Sequence, residues 1–251
     1  MQEHFQPPPN RPDDQGLRAT FERAARRVLD LQVRTVERDV SRWLPQRTGR
    51  VLEVGCGLQP YRRYLPPEVA YVGLDWAGAG QGFGYSVPDV VHYDGGRFPF
   101  GDSEFDSIFH TEVLEHVLDA RTLLSECRRV LRPGGEMLLT VPFQARFHYI
   151  PHDYWRFTPS ALRQMLEEAG FEQIDIRSRG TDVTVAGYKS VGVTYRLLSG
   201  SALQKISGAL LAPVGAIALG VAHLSLALGI GSSDDCLGYT VVCRASQGQA
   251  R

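Results

Sequence analysis

The sequence predicts an α/β fold built on an open, largely parallel β-sheet with helices on both faces. Short apolar segments alternate along the chain with longer segments of helical periodicity, which is typical of βαβ units. Glycine or aspartate follows the first three of these apolar segments, at the strand ends where such sheets bind ligands. The 251 residues suffice for one α/β domain with its own core, or at most two small domains.

Seven strands and several helices follow from this pattern. The first helix covers 17–44, with apolar positions at helical spacing and a basic outer face that is either solvated or a partner surface. Two more helices are predicted over 118–131 and 158–170, the latter with Thr158 as N-cap and Pro159 at its first position. The Gly- and Ala-rich residues 76–86 predict a flexible loop. The predicted strands are 50–54, 69–74, 90–93, 104–109, 136–141, 171–177 and 238–243.

Composition narrows the classes of partner. The formal net charge of -1 gives no reason to expect nucleic acid. Residues 1–16 hold few core-forming side chains and predict a disordered arm, whose proline-rich, polar sequence is unlike a signal peptide. The four cysteines are scattered, so we expect no metal site and a reducing, cytoplasmic location; they are Cys56, Cys127, Cys236 and Cys243.

The first strand runs into a glycine loop that carries the first functional signal. Gly55 and Gly57 allow backbone to turn tightly and approach a ligand. A dinucleotide site requires a third glycine and a helix facing pyrophosphate, but Pro60 follows instead. Glu53, two residues before Gly55, disfavours a pyrophosphate and suits a cationic ligand. The loop therefore points to S-adenosylmethionine, which has a sulfonium and an amino group and no phosphate.

Carboxylates end the next two strands. Asp75 follows the second strand, where it is placed to accept hydrogen bonds from ribose hydroxyls. Asp94 follows the third strand and is either an acceptor for the adenine amine or a residue of a turn.

Five motifs in this order resemble the class I S-adenosylmethionine-dependent methyltransferases. The resemblance covers about residues 50–178, and the whole of 17–251 is then one methyltransferase domain with a hydrophobic insertion at 181–236. The motifs are Val51-Leu52-Glu53-Val54-Gly55-Cys56-Gly57, Gly73-Leu74-Asp75, Asp94, Phe105-Asp106-Ser107-Ile108 with Leu114-Glu115-His116-Val117, and Leu131-Arg132-Pro133-Gly134-Gly135.

The resemblance implies a seven-stranded, mostly parallel, Rossmann-like sheet of order 3-2-1-4-5-7-6, the last inserted strand antiparallel. It also implies the cofactor, S-adenosylmethionine. Its methionine part is expected at Glu53, Gly55 and Gly57, its ribose at Asp75 and its adenine at Asp94. The expected cofactor site further includes Cys56, Trp76, His110 and Thr111, the last two mainly through backbone.

An aromatic, histidine-containing segment after the fifth strand is the candidate acceptor site. Its position off a strand carboxyl end faces where a substrate would lie, and part of it resembles a stretch seen in a subset of the family. His148 and His152 are either general bases or loop-packing residues, because imidazole titrates near neutrality. His116 is expected to be structural. The candidate substrate residues are Tyr154, Trp155 and Arg156.

Residues 206–231 contain no Asp, Glu, Lys or Arg and are long enough to span a bilayer. A single crossing would separate strands six and seven, which belong to one sheet. Pro213 and five glycines therefore predict a break into a helical hairpin. Gly208, Ala212, Ala216 and Gly220 form a small-residue stripe suited to close helix packing. The segment is a peripheral membrane contact, a lid, a homodimer interface or a buried core helix.

The function predicted from these features is methyl transfer from S-adenosylmethionine to a small-molecule or lipid-like acceptor. The sulfonium methyl is already activated, so positioning carries much of the rate. Two alternatives remain: a non-catalytic or membrane-associated binding protein that kept the fold, and a nicotinamide-dependent oxidoreductase, which the absent third glycine disfavours.

Overall fold

The computed structural model describes residues 17–79 and 89–248, and in it seven strands form one sheet of order β3-β2-β1-β4-β5-β7-β6. This confirms the predicted fold class and strand order. The predicted arm 1–16 and most of the predicted loop 76–86 lie outside the described residues. The strands are β1 (Arg50–Val54), β2 (Ala70–Trp76), β3 (Val90–Tyr93), β4 (Phe105–Thr111), β5 (Leu131–Pro142), β6 (Phe171–Arg179) and β7 (Gly238–Ala245).

Strand direction gathers the strand ends that matter at one edge of the sheet. The first five strands pair in parallel, and β7 lies antiparallel between β5 and β6. Gly238 of β7 is in register with both Pro142 and Arg179. The carboxyl ends of β1 to β6 therefore share the edge at which α/β sheets bind ligands, called the carboxyl edge below.

The helices cover both faces, and the first of them corrects a prediction. The segment 17–44 is not one helix, because Asp30 leaves helical geometry (φ -106°, ψ 94°) and caps a second helix by accepting a hydrogen bond from Val33 N–H. An aspartate competes for backbone N–H groups and so favours a helix start over a helix interior. The helices are α1 (Leu17–Leu29), α2 (Leu31–Trp43), α3 (Ala120–Val130), α4 (Pro159–Glu168), α5 (Asp182–Leu198) and α6 (Ala202–Leu228).

The core lies on both faces of the central strands. On β1, Leu52 and Val54 pack into the cluster that contains residues of α3 and α4, whereas Val51 packs into the cluster that contains α2. This division follows from the alternation of side chains along a strand. The four cysteines are buried and form no disulfide.

A hairpin of α5 and α6 connects β6 to β7, and its form differs from the prediction. The segment 206–231 does not break at Pro213, because α6 is continuous over 27 residues. Its hairpin partner is α5. The buried small residues facing α5 are Gly208, Gly215 and Ala222, seven apart, and not the predicted four-residue stripe: a Cβ on Gly220 would meet nothing within 4 Å. Seven residues are close to two full helical turns, which returns each to the same seam.

Candidate functional site

The glycine loop at the end of β1 has the backbone geometry that only glycine adopts readily. Gly55 and Gly57 have φ of 65° and 51°, in the left-handed region. A Cβ on Gly55 would lie 2.5 Å from Val113 Cγ2. The N–H groups of Gly55 and Cys56 both donate to Leu74 O, at 2.8 and 3.1 Å, so β2 holds the loop against the sheet.

Asp75 connects this loop to the end of β2. Its side chain is buried; Oδ2 accepts from Gly57 N–H at 2.9 Å, and Oδ1 accepts from Trp76 N–H at 2.8 Å. The sequence pattern predicts only a ribose contact for Asp75. The structure gives it a second task, because its charge fixes the conformation of the glycine loop.

Glu53 is buried in β1 beside Asp75. Burial, assisted by the negative charge of Asp75 and opposed by a hydrogen bond from the Tyr71 hydroxyl, raises the pKa of Glu53 to about 8. A cation placed next to this group would favour its ionised form and lower that pKa. Two buried carboxylates on neighbouring strands therefore make the loop region a place for a positively charged ligand.

Cys56 has a different environment from the glycines on either side of it. Its buried Sγ lies 2.9 Å from where a Cβ of Gly73 would be, so the thiol packs against β2. Burial raises the pKa of the thiol, which is therefore neutral and unreactive. Any contact of Cys56 with a ligand in this loop would be made by its backbone.

Trp76 and Asp94 lie at the ends of β2 and β3. Asp94 is exposed, and its Oδ1 accepts from Gly96 N–H at 2.9 Å, the geometry of a turn. Oδ2 has no hydrogen bond within the described part of the chain, and adenine binding by Asp94 stays a prediction. The indole of Trp76 lies about 4.0 Å from the position of a Cβ on Gly95 and packs edge-on against His152, with centroids 5.4 Å apart. Trp76 thus connects the Asp94 turn to the acceptor side.

His110 and Thr111 end β4. His110 is fully buried, and neither ring nitrogen has a hydrogen-bond partner among the described residues. Burial lowers the pKa of His110 to about 3, so the ring is neutral at physiological pH. Thr111 is partly exposed and in register with Thr140 of β5. Their predicted backbone contact with a cofactor stays a prediction.

The acceptor loop, residues 143–158, folds back over the turn that follows β4. Tyr154 and Trp155 N–H groups donate to Glu115 O at 2.8 and 3.3 Å, and Trp155 Nε1 donates to Val117 O at 3.0 Å. The loop also contains a cis bond between Ile150 and Pro151. These bonds place the loop beside the ends of β2 and β4, and so beside the cofactor residues.

The histidines of this region form one cluster. His116 Nδ1 is 2.6 Å from His152 O, which supports the predicted structural role of His116. Burial, with the neighbouring His148 second, lowers the pKa of His116 to about 4. The rings of His116 and His148 lie 4.8 Å apart, edge to face. His152 Nδ1 is 3.4 Å from Tyr154 Oη. Of the two candidate bases, His152 borders the cofactor region through Trp76, whereas His148 packs against His116, and the role of either as a base stays a prediction.

The three candidate substrate residues differ in what they contact. Tyr154 and Trp155 are partly exposed, and Trp155 stacks on Phe157. The Arg156 guanidinium instead forms two bonds to Asp153, at 2.6 and 2.9 Å, and three more to backbone carbonyls. In the described structure Arg156 holds the loop together, so Tyr154 and Trp155 are the better-placed contacts for an acceptor.

Glu115 is a site residue that the sequence search missed. It is fully buried, and both carboxylate oxygens lack a hydrogen-bond partner among the described residues. Burial, with the charge of Glu112 second, raises its pKa well above the ordinary range. Ligand atoms of Glu115, His116 and His148 lie within 4.8 Å of one another, so this trio could hold a metal ion. The only sequence signal was the Leu-Glu-His motif, which we treated as a family marker.

Two clefts among the described residues lie away from the candidate site. One of about 250 Å³ is at the opposite edge of the sheet, lined by charged groups that include Arg47, Glu136 and Arg244. Those side chains are paired with each other, as Glu136 accepts from both arginines. The candidate site is therefore defined by side chains at strand ends and not by a large cavity.

Comparison with known proteins finds similarity to methyltransferases over part of the chain. Residues 52–139 match the family described as "Methyltransferase domain". A "Probable S-adenosylmethionine-dependent methyltransferase" of Mycolicibacterium smegmatis is 34% identical over 136 residues, covering 50% of this chain and 52% of the relative. A ubiquinone biosynthesis O-methyltransferase of Dinoroseobacter shibae is 29% identical over 168 residues, covering 55% and 66%. The chain thus spans about half to two thirds of the length of these relatives.

Solved structures extend the likeness to most of the chain. An S-adenosylmethionine-dependent methyltransferase from Archaeoglobus fulgidus superposes with a TM-score of 0.54 at 17% identity, covering 91% of this chain and all of that one. The [4+2]-cyclase SpnF superposes with a TM-score of 0.52 at 19% identity, covering 85% and 81%. At these identities the likeness shows the fold, which different activities share. The sequence motifs, the family match over residues 52–139 and this fold make the chain similar to the class I S-adenosylmethionine-dependent methyltransferases.

Proposed function

We propose that this protein transfers the methyl group of S-adenosylmethionine to an oxygen of a small-molecule or lipid-like acceptor. The observation that carries the proposal is the joined unit of Glu53, the glycine loop and Asp75 at the carboxyl edge. The unit offers buried negative charge and close backbone approach where a sulfonium cofactor is expected. An oxygen acceptor is favoured because the named relatives include ubiquinone biosynthesis, cnsE and fatty-acid O-methyltransferases.

In this proposal the cofactor lies along the ends of β1, β2 and β3. Glu53 faces the positively charged methionine portion, and Asp75 accepts from the ribose while keeping the bond from Gly57 N–H. Trp76 and the Asp94 turn border the adenine. S-adenosylmethionine supplies an activated methyl group, so the protein mainly has to orient donor and acceptor in line.

The acceptor lies between the cofactor and the acceptor loop, against Tyr154 and Trp155. Bound S-adenosylmethionine would give its methyl group to the acceptor oxygen, with S-adenosylhomocysteine as the other product, and Tyr154 and Trp155 would hold the acceptor in position. A hydroxyl acceptor loses its proton to a base, and His152 is the better candidate because its ring already touches Trp76 at the cofactor side. His148 is bound to the loop through Arg146 O at 3.0 Å and has less freedom to meet a substrate.

Three measurements test the proposal. Isothermal titration should show saturable binding of S-adenosylhomocysteine. A fluorescence titration should show no enhancement of NADH or NADPH emission. Labelled methyl transfer from S-adenosylmethionine into a cell extract, fractionated into lipid, sugar and protein, should then mark one small-molecule or lipid fraction. Absence of cofactor binding would overturn the proposal. Binding without transfer to any fraction would favour a non-catalytic protein that kept the fold.

The role of the histidines has its own comparison. His152→Gln should lower kcat at neutral pH by about 100-fold or more, and part of that loss should be recovered at higher pH, where the acceptor ionises unaided. His148→Gln, in the same loop, is the matched control and should change kcat less. Equal losses without a change in pH profile would assign both histidines to loop packing.

A further inference from the structure

The α5–α6 hairpin carries an apolar surface that the rest of the described chain leaves uncovered. Eight side chains of α6 recur at spacings of three and four residues, so they lie along one side of the helix. Each is between 48% and 75% exposed. This apolar stripe consists of Leu203, Ile206, Leu210, Val214, Ile217, Val221, Leu224 and Leu228.

The stripe is long and continuous. Twenty-five residue steps separate its first and last members, which gives about 38 Å of helix. Among the described residues, α6 is the helix long and apolar enough to cross a membrane by length and composition. Only 22% of the most apolar 18-residue stretch of α6 is buried, so α6 is not a core helix. That removes the buried-core interpretation of this segment.

The charge of the hairpin indicates what covers the stripe. Between Val183 and Ser233 the charged residues are Lys189, Arg196 and Lys205, and carboxylates occur only at the sheet end of the hairpin, at Asp182, Asp234 and Asp235. All three cations are exposed. A second copy of the chain would bring like charges together, whereas an anionic lipid headgroup region complements them. An apolar stripe flanked by cations is typical of helices that lie in a membrane interface.

The hairpin leaves and rejoins the sheet at the carboxyl edge. Thr181, next to the end of β6, contacts Ser225 and Ile230 near the end of α6: its Oγ1 lies 2.8 Å from Ser225 Oγ and donates to Ile230 O at 2.7 Å. Buried Arg179 donates to Glu112, just past β4, at 2.7 Å. Both ends of the hairpin therefore lie on one side, which excludes a single crossing and suits a segment that lies on one leaflet.

We infer that the α5–α6 hairpin docks this protein onto an anionic lipid bilayer, with the apolar stripe at the boundary of headgroups and acyl chains. The middle of α5 touches the acceptor loop, since Lys189 donates to Gln144. Docking therefore holds the carboxyl edge near the bilayer surface. If the proposed function is correct, this is the arrangement that serves a membrane-borne acceptor; the docking itself does not depend on methyl transfer.

Vesicle co-sedimentation of the full chain tests the docking. We expect binding to vesicles of phosphatidylcholine mixed with phosphatidylglycerol, weaker binding to phosphatidylcholine alone, and loss of the difference at high salt. The variant Leu210→Glu with Ile217→Glu should bind at least about tenfold more weakly, because two charges enter the apolar boundary. Leu118→Glu changes a residue of similar exposure outside the hairpin (68% against 75% for Leu210) and should bind as the wild type does.

A second variant keeps the stripe intact. Replacing Lys189, Arg196 and Lys205 by glutamine should weaken binding to the mixed vesicles by about fivefold per charge and leave binding to phosphatidylcholine unchanged. S-adenosylhomocysteine affinity, measured on the same samples, should be unaltered in every variant and shows that each is folded.

Two results would overturn the inference. One is wild-type protein that binds cofactor yet ignores both kinds of vesicle. The other is a wild-type homodimer that Leu210→Glu dissociates and that has no vesicle affinity, which would assign the stripe to a second copy. Loss of cofactor binding with vesicle binding retained would instead count against the proposed function alone.

Discussion

The cofactor side and the acceptor side of the candidate site are held together in different ways. On the cofactor side, buried carboxylates fix a backbone loop, with Asp75 bonded to Gly57 N–H and Glu53 buried beside it. On the acceptor side, half-exposed aromatic rings and histidines hang on a loop bonded to Glu115 O and closed by the Arg156–Asp153 pair. The first arrangement tolerates little change, whereas the second allows side chains to vary around a fixed frame.

The largest loss of cofactor affinity is expected at Gly55, on the cofactor side. Gly55→Ala should lower S-adenosylhomocysteine affinity by roughly 100-fold or more, because the added methyl meets Val113 at 2.5 Å and the residue is held at φ 65°. The control is Gly220→Ala on α6, where an added Cβ would meet no atom of the described residues within 4 Å beyond the helix's own nearby backbone. It should keep affinity unchanged and stabilise the protein by about 0.5–1 kcal/mol. Isothermal titration and thermal unfolding measure both, and unchanged affinity in Gly55→Ala would contradict a cofactor at this loop.

Asp75 and Asp94 separate a buried carboxylate from an exposed one. Asp75→Asn should cost about 10- to 100-fold in S-adenosylhomocysteine affinity, since it removes the charge that strengthens both ribose and loop bonds. Asp94→Asn should cost only a few-fold, because the exposed side chain bonds to Gly96 N–H in a turn that asparagine also forms. Equal losses in the two titrations would show that burial does not set the difference.

Glu53 adds a pH dependence to the cofactor side. The folded protein keeps a proton on Glu53 up to a pKa of about 8, whereas the unfolded chain releases it near 4.5. The free energy of unfolding should therefore fall as pH rises from about 4.5 to about 8. Glu53→Gln should unfold at a higher temperature than the wild type at the upper end of that range, with the gap closing toward the lower end. Glu53→Gln should also bind the cofactor more weakly. If the unfolding temperatures of wild type and Glu53→Gln change with pH in parallel, the raised pKa of Glu53 is disproved.

The Arg156–Asp153 pair that closes the acceptor loop should give only a moderate effect. Arg156→Lys loses the two-point bond to Asp153 and should lower kcat/KM for the acceptor by about three- to tenfold. Cofactor affinity should not change, which steady-state kinetics and titration together would show. Burial opposes ionisation of Asp153, but Arg156 and the His148 N–H overcome it and lower its pKa, so the pair is lost only as pH falls through that lowered value. A loss of cofactor affinity in Arg156→Lys would instead place this residue on the cofactor side.

Local pattern was enough for most elements, and it failed where long-range packing decided. The strand ends at Gly55, Asp75 and Asp94 were predictable because turn residues mark them. The interruption of 17–44 at Asp30 was missed, since helical periodicity alone does not show that α2 packs on the sheet while α1 ends against α6, where His223 Nε2 is 2.9 Å from Val28 O. Pro213 suggested a break in α6, but packing against α5 keeps the helix continuous.

Within the candidate site the same division holds. The motif order alone indicated the cofactor residues, because glycine conformation and strand-end carboxylates are local properties. The contact of His152 with Trp76 joins segments far apart in sequence. The burial of Glu115 and the closing of the acceptor loop by Arg156 and Asp153 likewise depend on how that loop folds over the turn after β4.

The sequence by itself determined the alternation of strands and helices, the glycine loop after β1 and the apolar character of 206–231, since each depends on residues close together in the chain. Only the tertiary structure decided that Gly208, Gly215 and Ala222 face α5, that the apolar stripe faces outward, and that the hairpin stands at the same edge as the site. The physical reason is that exposure depends on what packs against a helix, which the helix's own residues do not specify.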